Sequence, residues 1–305
     1  MDKINCIVCG KKNEKIYIEK DGFSYVRCPG CGLIYLNPQP GQDELSNFYN
    51  QKYGVDKKRY LSRRRKWNEI IKIIKIYKKT GSLLEIGSSF GLFLKMAKES
   101  GFDVKGVEIS EKACRYAKNN FDIDAYPGEL NEDHVLIKEK FDIVCLWHVI
   151  EHLKDPSEIL EIINKLLAKE GYLILTTPNI NSMPSKKLGK FWEWINPPKH
   201  LFLFNFKSIK NLVQKNKFEI VKIFTRQGDY VSFLSSLVSL PLKKLNIKNS
   251  GDGKIKNKRL LELKRYWGLK IKSAMSMDFF FKFIFSKDEN GPEIFLIAKK
   301  IEDIL

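Results

Sequence analysis

The chain has 305 residues, of which 43% are apolar and 30% charged, an ordinary globular composition that excludes a wholly disordered polypeptide. At roughly 150 residues per domain it predicts about two domains, and no apolar stretch reaches the roughly 18 residues of a spanning helix. The formal net charge is +18, concentrated in residues 46–80 (12 Lys and Arg against 2 Asp and Glu) and residues 231–290 (13 against 5), while residues 81–230 are almost balanced at 21 against 20.

Such a distribution fits solvated basic helices, or a face for an anionic partner: a phosphorylated substrate, a nucleic acid or a membrane surface. The first residues, Met1 to Asn5, lack the apolar core of a secretion signal, so a cytoplasmic location is expected.

Cys6-Ile-Val-Cys9 and Cys28-Pro-Gly-Cys31 are two C-x2-C pairs separated by 18 residues. One tight turn can present both sulfurs of a pair to one ion, and four thiolates suit tetrahedral Zn2+. Gly10 and Gly32 follow the pairs and permit the positive φ such knuckles need. Four protein ligands leave no open position, so the expected metal is structural. A redox pair or a disulfide framework fits less well with this spacing and compartment. Tyr17-Ile18, Phe23 to Val26 and Leu33 to Leu36 read as the short strands of a ribbon. Cys114 and Cys145 stand apart and read as core thiols.

The Asn37-Pro-Gln-Pro-Gly41 cluster marks a boundary. Residues 57–79 then predict a basic amphipathic helix, with Trp67, Ile70, Ile71, Ile74 and Tyr77 on one face. From Ser82 onward, strands and helices alternate. Leu83 to Ile86, Val104 to Val107, Phe141 to Trp147, Tyr172 to Thr176, Phe218 to Phe224 and Ile294 to Ala298 read as strands. Ser110 is expected to cap a helix over 111–120. Asp155-Pro156-Ser157-Glu158 opens another, which Gly171 is expected to end. This rhythm predicts an α/β fold: a Rossmann-like, doubly wound, mostly parallel sheet, with a small N-terminal zinc ribbon and a basic helical insertion before the last strand. The segments are 1–45 (zinc-ribbon-like knuckle), 46–80 (basic helical linker), 81–230 (Rossmann-like core), 231–290 (basic helical insertion or lid) and 291–305 (last core strand and C-terminus). The apolar run Phe279 to Phe285 is too short to span a bilayer. It suits lid packing better than peripheral membrane contact.

Glu85-Ile86-Gly87-Ser88-Ser89-Phe90-Gly91 carries the most chemistry. It runs from a strand through a glycine turn into a helix. Gly87 lets the backbone come close to a ligand, and Gly91 lets the helix pack tightly on the strand. Glu108 closes the next strand and can accept both hydroxyls of a ribose. Ser89 occupies the place where a dinucleotide fingerprint needs glycine, so the turn suits a nucleoside without phosphates. Glu85 would repel phosphate and suit a cationic tail.

On Glu85, Gly87 and Gly91, on Glu108, on the string Phe141 to Leu153 (FDIVCLWHVIEHL) and on Pro197-Pro198-Lys199-His200-Leu201 with Phe204, the chain resembles a class I S-adenosylmethionine-dependent methyltransferase. The resemblance covers residues 81–230 and 291–300. With the four-cysteine knuckle in front, it is similar to bacterial enzymes linked with sugar and glycan biosynthesis. It implies that Gly87, Ser88 and Gly91 bind the methionine part of S-adenosyl-L-methionine. Glu108 would take the ribose, with Tyr126, Gly128 and Glu129 near the adenine. Trp147 and His148 would line the floor beside the methyl group.

Methyl transfer is an in-line displacement in which alignment supplies most of the rate. A neutral hydroxyl acceptor also needs a base, and histidine fits. His200 is the first candidate and His148 the second. His148 and His152, four apart, can share a helical face, and with Glu151 they have the look of a metal motif. The resemblance argues against metal there, leaving His152 to brace the loop before Asp155. His134 reads as a surface residue.

The expected function is methylation of a small molecule: a sugar, nucleotide-sugar or glycan-pathway intermediate whose phosphates the basic flanks would hold. The alternatives are an RNA methyltransferase gripping RNA with ribbon and basic helices, and a non-catalytic zinc-containing binding module.

Overall fold

The computed structural model describes residues 3–12, 15–41, 44, 63–226 and 289–301. Most of the basic insertion predicted over 231–290, the apolar run Phe279 to Phe285 and residues 46–62 of the linker lie outside the described residues.

Strands β1 (Ile16–Lys20), β2 (Phe23–Arg27) and β3 (Ile34–Leu36) form an antiparallel meander. Helix α1 (Arg64–Tyr77) follows. Its Trp67, Ile70, Ile71 and Ile74 are buried, as the periodicity predicts. Then come β4 (Gly81–Ile86), α2 (Leu92–Glu99), β5 (Phe102–Glu108), α3 (Glu111–Phe121), β6 (Asp124–Pro127) and β7 (Phe141–Trp147). The remainder is α4 (Pro156–Leu166), β8 (Leu167–Pro178), α5 (Met183–Leu188), β9 (Phe202–Leu203), α6 (Phe206–Lys215), β10 (Phe218–Arg226) and β11 (Glu293–Lys300).

The main sheet has seven strands in the order β10-β11-β8-β7-β4-β5-β6. β6, β5, β4, β7 and β8 are parallel, and β11 runs antiparallel to both β8 and β10. Right-handed crossovers that run outward from β4 in both directions place helices on both faces, so the central β4 and β7 are buried apart from Gly81, Ser82 and Asp142. The carboxyl ends of β4, β5, β7 and β8 share one edge. Because β11 is reversed, its first residue, Glu293, faces Pro178 at that same edge.

Two start signals act as their residue types predict. The Ser110 side chain accepts from Ala113 N–H, and Asp155 accepts from Ser157 and Glu158 N–H with Pro156 at the first position of α4. Gly171, by contrast, does not end that helix: α4 stops at Leu166 and β8 begins at once. Phe141 pairs with Leu167 but Ile143 pairs with Tyr172, so residues 168–171 bulge out of the ladder. A Cβ on Gly171 would lie 2.8 Å from Ala168 O; the glycine serves the bulge.

The meander does not stand apart from the core. β9, which follows β8 and α5, pairs antiparallel with β3 through Ile34–Leu203 and Tyr35–Phe202, giving a second sheet β1-β2-β3-β9. One continuous cluster of buried residues includes Cys6, Cys28, Cys31, Tyr25 and Leu36 together with Leu146, Leu201 and Phe204.

Candidate active site

Gly87 adopts φ +76°, and a Cβ there would sit 2.6 Å from Val149 Cγ2. The chain turns here because Gly87 and Ser88 N–H both donate to Val107 O at the end of β5, at 2.8 and 3.1 Å. Ser89 also lies in the left-handed region, at φ 49°, and its N–H donates to Glu108 Oε2 at 2.8 Å. Glu108 Oε1 accepts from Ser110 N–H at 2.9 Å. The carboxylate is 3% exposed and therefore ties the turn after β4 to the turn after β5. Gly91, at φ +74°, has Ala117 Cβ 2.8 Å from where its own Cβ would be, so α2 and α3 pack as closely as glycine allows. Gly128 N–H donates to Glu108 O at 3.0 Å, and a Cβ at Gly128 would meet no described residue within 4 Å. Space therefore opens beside the carboxyl end of β5, flanked by Tyr126 on β6.

Glu85 lies on β4, between Gly106 of β5 and Cys145 of β7. It is 2% exposed, and its Oε2 has no hydrogen-bond partner among the described residues. Burial, then the nearby Glu108 charge, hold this carboxyl well above the usual carboxylate range. A buried carboxyl oxygen without a partner is costly, and a cationic group beside it would offset that cost. Turn, carboxylates and open space together fit a nucleoside with a cationic tail.

Trp147 ends β7 within an aromatic group: its ring is 5.1 Å from Phe93 and 5.9 Å from both Trp67 and Phe295. His148 follows at φ 56°, a left-handed conformation uncommon outside glycine, which Asn, Asp and His adopt more often than other residues and which accumulates at functional sites. Its ring stacks on Trp194, with centroids 4.6 Å apart at 15°. Nε2 is 2.5 Å from Glu293 Oε1. Nδ1 lies 3.3 Å from Glu151 Oε1, within ion-pair range but with no hydrogen bond among the described residues. Burial pulls the His148 pKa down, but the Glu151 and Glu293 carboxylates outweigh it and hold the ring above the usual histidine range. Glu293 also receives Lys66 Nζ at 2.9 Å.

The structure separates the two histidines of the His-x-x-Glu-His string. His152 Nδ1 bonds to Lys199 O at 2.8 Å, so it braces the loop before β9 and not the one before Asp155. Its ring meets His200 edge-on at 4.6 Å. His200 is 4% exposed. Burial and then His152 pull it down to about 3, which makes it a poor proton acceptor at neutral pH. One ligand atom each of Glu151, His152 and His200 lies within 4.8 Å of the others. Burial opposes ionisation of Glu151, but His148 and the other two histidines hold its carboxyl down at about 2, and Thr177 Oγ1 donates to it at 3.1 Å. His134, half-buried, caps a short turn through Nδ1, which accepts from Leu136 N–H at 3.2 Å.

The sulfurs of Cys6, Cys9, Cys28 and Cys31 all fall within 4.8 Å of one another, with Cys6–Cys31 at 3.5 Å and Cys9–Cys28 at 3.3 Å. Four sulfurs about 2.3 Å from one ion stand about 3.8 Å apart, close to this spacing. The two knuckles repeat one geometry: Gly10 N–H donates to Cys6 O and Gly32 N–H to Cys28 O, with both glycines at positive φ. The hydrogen bond with Cys31, then burial, push the Cys6 thiol far above its usual range. A dication at the centre would reverse that crowding. Cys114 and Cys145 are buried.

A family model described as a methyltransferase domain matches residues 59–223. The chain belongs to this methyltransferase-domain family. Among relatives, it is 32% identical over 127 residues to a ubiquinone biosynthesis O-methyltransferase of Caulobacter sp. (strain K31), covering 39% of this chain and 50% of that one. It is 30% identical over 128 residues to the same-named protein of Caulobacter vibrioides, with 39% and 51% covered. The chain thus spans about half the length of these curated relatives. Among solved structures, a SAM-dependent methyltransferase from Thermotoga maritima aligns with TM-score 0.54 at 18% identity, over 84% of this chain and 99% of that one. Phosphoethanolamine N-methyltransferase 2 from Haemonchus contortus, solved with S-adenosyl-L-methionine, aligns with TM-score 0.51 at 18% identity, covering 88% and 63%. At such identities the likeness is one of fold: the Rossmann-like methyltransferase fold.

Motif reading of this methyltransferase-family chain misses Glu293, Lys66, Trp194 and Gly106. The first three come from segments remote from the FDIVCLWHVIEHL string. Gly106 faces the turn: a Cβ there would lie 2.7 Å from Ser88 Oγ and 2.8 Å from Leu94 Cδ1.

Proposed function

We propose that this chain transfers a methyl group from S-adenosyl-L-methionine to an oxygen of a small-molecule acceptor, with His148 as the proton acceptor. The observation that carries the reading is the crevice at the carboxyl ends of β4 and β5, where the Gly87 turn and the anchored Glu108 flank the orphaned Glu85 oxygen and His148 sits at the end of the neighbouring strand. Gly87, Ser88 and Gly91 would hold the methionine part, Glu108 the ribose, and Tyr126 and Gly128 the adenine side, while Glu85 would face the cationic tail. When bound, S-adenosyl-L-methionine supplies a methyl group on a sulfonium that leaves as a neutral thioether. The chain's own work is to align the acceptor, exclude water with the Trp147 aromatic group, and accept the hydroxyl proton at His148 Nδ1 as the new carbon–oxygen bond forms. His148 displaces His200 from the first place that sequence alone gives it, because its neighbouring carboxylates favour the protonated ring whereas burial suppresses it at His200.

The names of the relatives favour an oxygen acceptor on a small molecule; a sugar or nucleotide-sugar is one class to be tried. The four cysteines would hold one structural Zn2+.

The deciding experiment incubates the purified protein with methyl-labelled cofactor and a panel of phenolic acceptors, nucleotide-sugars, glycans and RNA. Label on a small molecule, lost in His148→Gln with cofactor affinity retained, is expected. Label on RNA alone, or full transfer by His148→Gln, overturns the acceptor class or the base respectively.

A further inference from the structure

We propose that Glu293 is a positioning residue for His148, fixing the ring in the tautomer that leaves Nδ1 as its proton-accepting atom, and that Lys66 in turn fixes Glu293. This rests on the reading of His148 as the base.

Glu293 is the first residue of β11 and is 3% exposed. Its Oε1 receives both His148 Nε2 at 2.5 Å and Lys66 Nζ at 2.9 Å. Lys66 and His148, with Arg226 further off, hold this carboxyl well below the usual carboxylate range in spite of its burial. An ionised carboxylate can only accept, so the hydrogen between Glu293 and Nε2 belongs to the ring. A neutral imidazole with its hydrogen on Nε2 has its lone pair on Nδ1. That atom is buried and forms no hydrogen bond among the described residues. The order is hydroxyl, imidazole, carboxylate, in which the carboxylate orients the ring and stabilises the cation formed when it takes a proton.

The rest of the surroundings agree. Trp194 lies flat against one face of the ring, which opposes rotation about the Cβ–Cγ bond. Glu151 Oε1 approaches Nδ1 at 3.3 Å without a hydrogen bond among the described residues, while Thr177 Oγ1 donates to the other oxygen, Oε2. Its charge favours the protonated ring, whereas the 2.5 Å contact with Glu293 holds the ring hydrogen at Nε2. Lys66 brings a cation from α1, so the helix before β4 and the last described strand meet at one carboxylate oxygen. When the acceptor's O–H bond breaks, its proton forms the Nδ1–H bond and the ring becomes a cation between Glu151 and Glu293. That proton passes to solvent after the product leaves.

The tautomer and titration readouts need no acceptor. The chain has four histidines, and His148 can be assigned in 13C- and 15N-labelled protein by its loss in His148→Gln. Wild-type protein is expected to show the Nε2–H tautomer and a titration midpoint above the ordinary histidine value. Glu293→Gln should lower that midpoint by about one pH unit or more and mix the tautomers, with affinity for S-adenosylhomocysteine unchanged. Glu293→Asp should recover part of the shift. Should Glu293→Gln fail to fold, Lys66→Met serves: it frees Glu293 for His148 and should raise the midpoint. A His148 midpoint and tautomer unaltered in the Glu293 variants, or in Lys66→Met if they do not fold, overturns the proposal. Full methyl transfer by His148→Gln instead overturns the base reading, whichever way Glu293→Gln titrates.

Discussion

Ser89 N–H donates to Glu108 Oε2 at 2.8 Å, which makes the glycine turn and the acid of the next strand a single unit. Glu108→Ala should therefore do more than remove a ribose partner. It strands the N–H groups of Ser89 and Ser110, at about 1–3 kcal/mol for each group left unpaired, and lets the turn relax. Calorimetry should record at least a tenfold loss of affinity for S-adenosyl-L-methionine. Wild-type affinity would remove the site assignment.

Gly106→Ala tests the other side of the turn. The added methyl would meet Ser88 Oγ at 2.7 Å and Leu94 Cδ1 at 2.8 Å, so the turn or α2 must move. A cost of about 1–3 kcal/mol is expected for overpacking of this kind, read as a lower melting temperature together with weaker cofactor binding. A variant that melts lower but binds normally would mean that α2 gives way and the turn does not.

Glu85→Gln should have opposite effects on the free and the bound protein. Burial raises the folded-state pKa of this carboxyl above its ordinary 4.5. The unfolded chain therefore loses its proton first, and stability falls as the pH rises from about that value toward the folded pKa. Replacing the acid removes this loss. The ligand-free variant should melt higher than wild type at pH 7 and about equally at pH 4, while its affinity for the sulfonium cofactor drops. A lower melting temperature at pH 7 would contradict burial as the cause.

Cys28→Ser, or chelation of the wild-type protein, should release bound zinc and lower the melting temperature. Because Tyr25 donates its hydroxyl to His200 O at 2.7 Å and β3 pairs with β9, the damage should spread into the core. Amide exchange at residues 201–203 should accelerate along with that of the ribbon. Elemental analysis finding no zinc in the wild-type protein would end the metal assignment.

The alternation of strands and helices was legible because each element carries its own period and punctuation: Ser110 and Asp155 cap, and β7 is apolar at every position but Asp142. The glycine turn was legible because Gly87 must reach a positive φ. What escaped has physical reasons. β9 has only two residues and becomes a strand solely because β3 offers an edge. β6 has four residues, ends in proline and depends on β5. Gly171 looks like a helix stop, yet it serves a bulge that exists only once β8 pairs with β7. Glu293 precedes an apolar run with no local motif, and its partner lies 145 positions earlier. His200 looked reactive in a proline-rich loop, and nothing local announces that the ribbon and His152 bury it.

The two-residue strand Phe202–Leu203 has one further implication. A fragment trimmed to begin at Arg63 would strip away the partner of that strand and uncover Leu201, Phe202 and Phe204, all buried in the intact chain. Such a fragment should be sticky and poorly soluble, so anyone exchanging the cysteine-bearing portion between homologous proteins must transplant the matching edge with it.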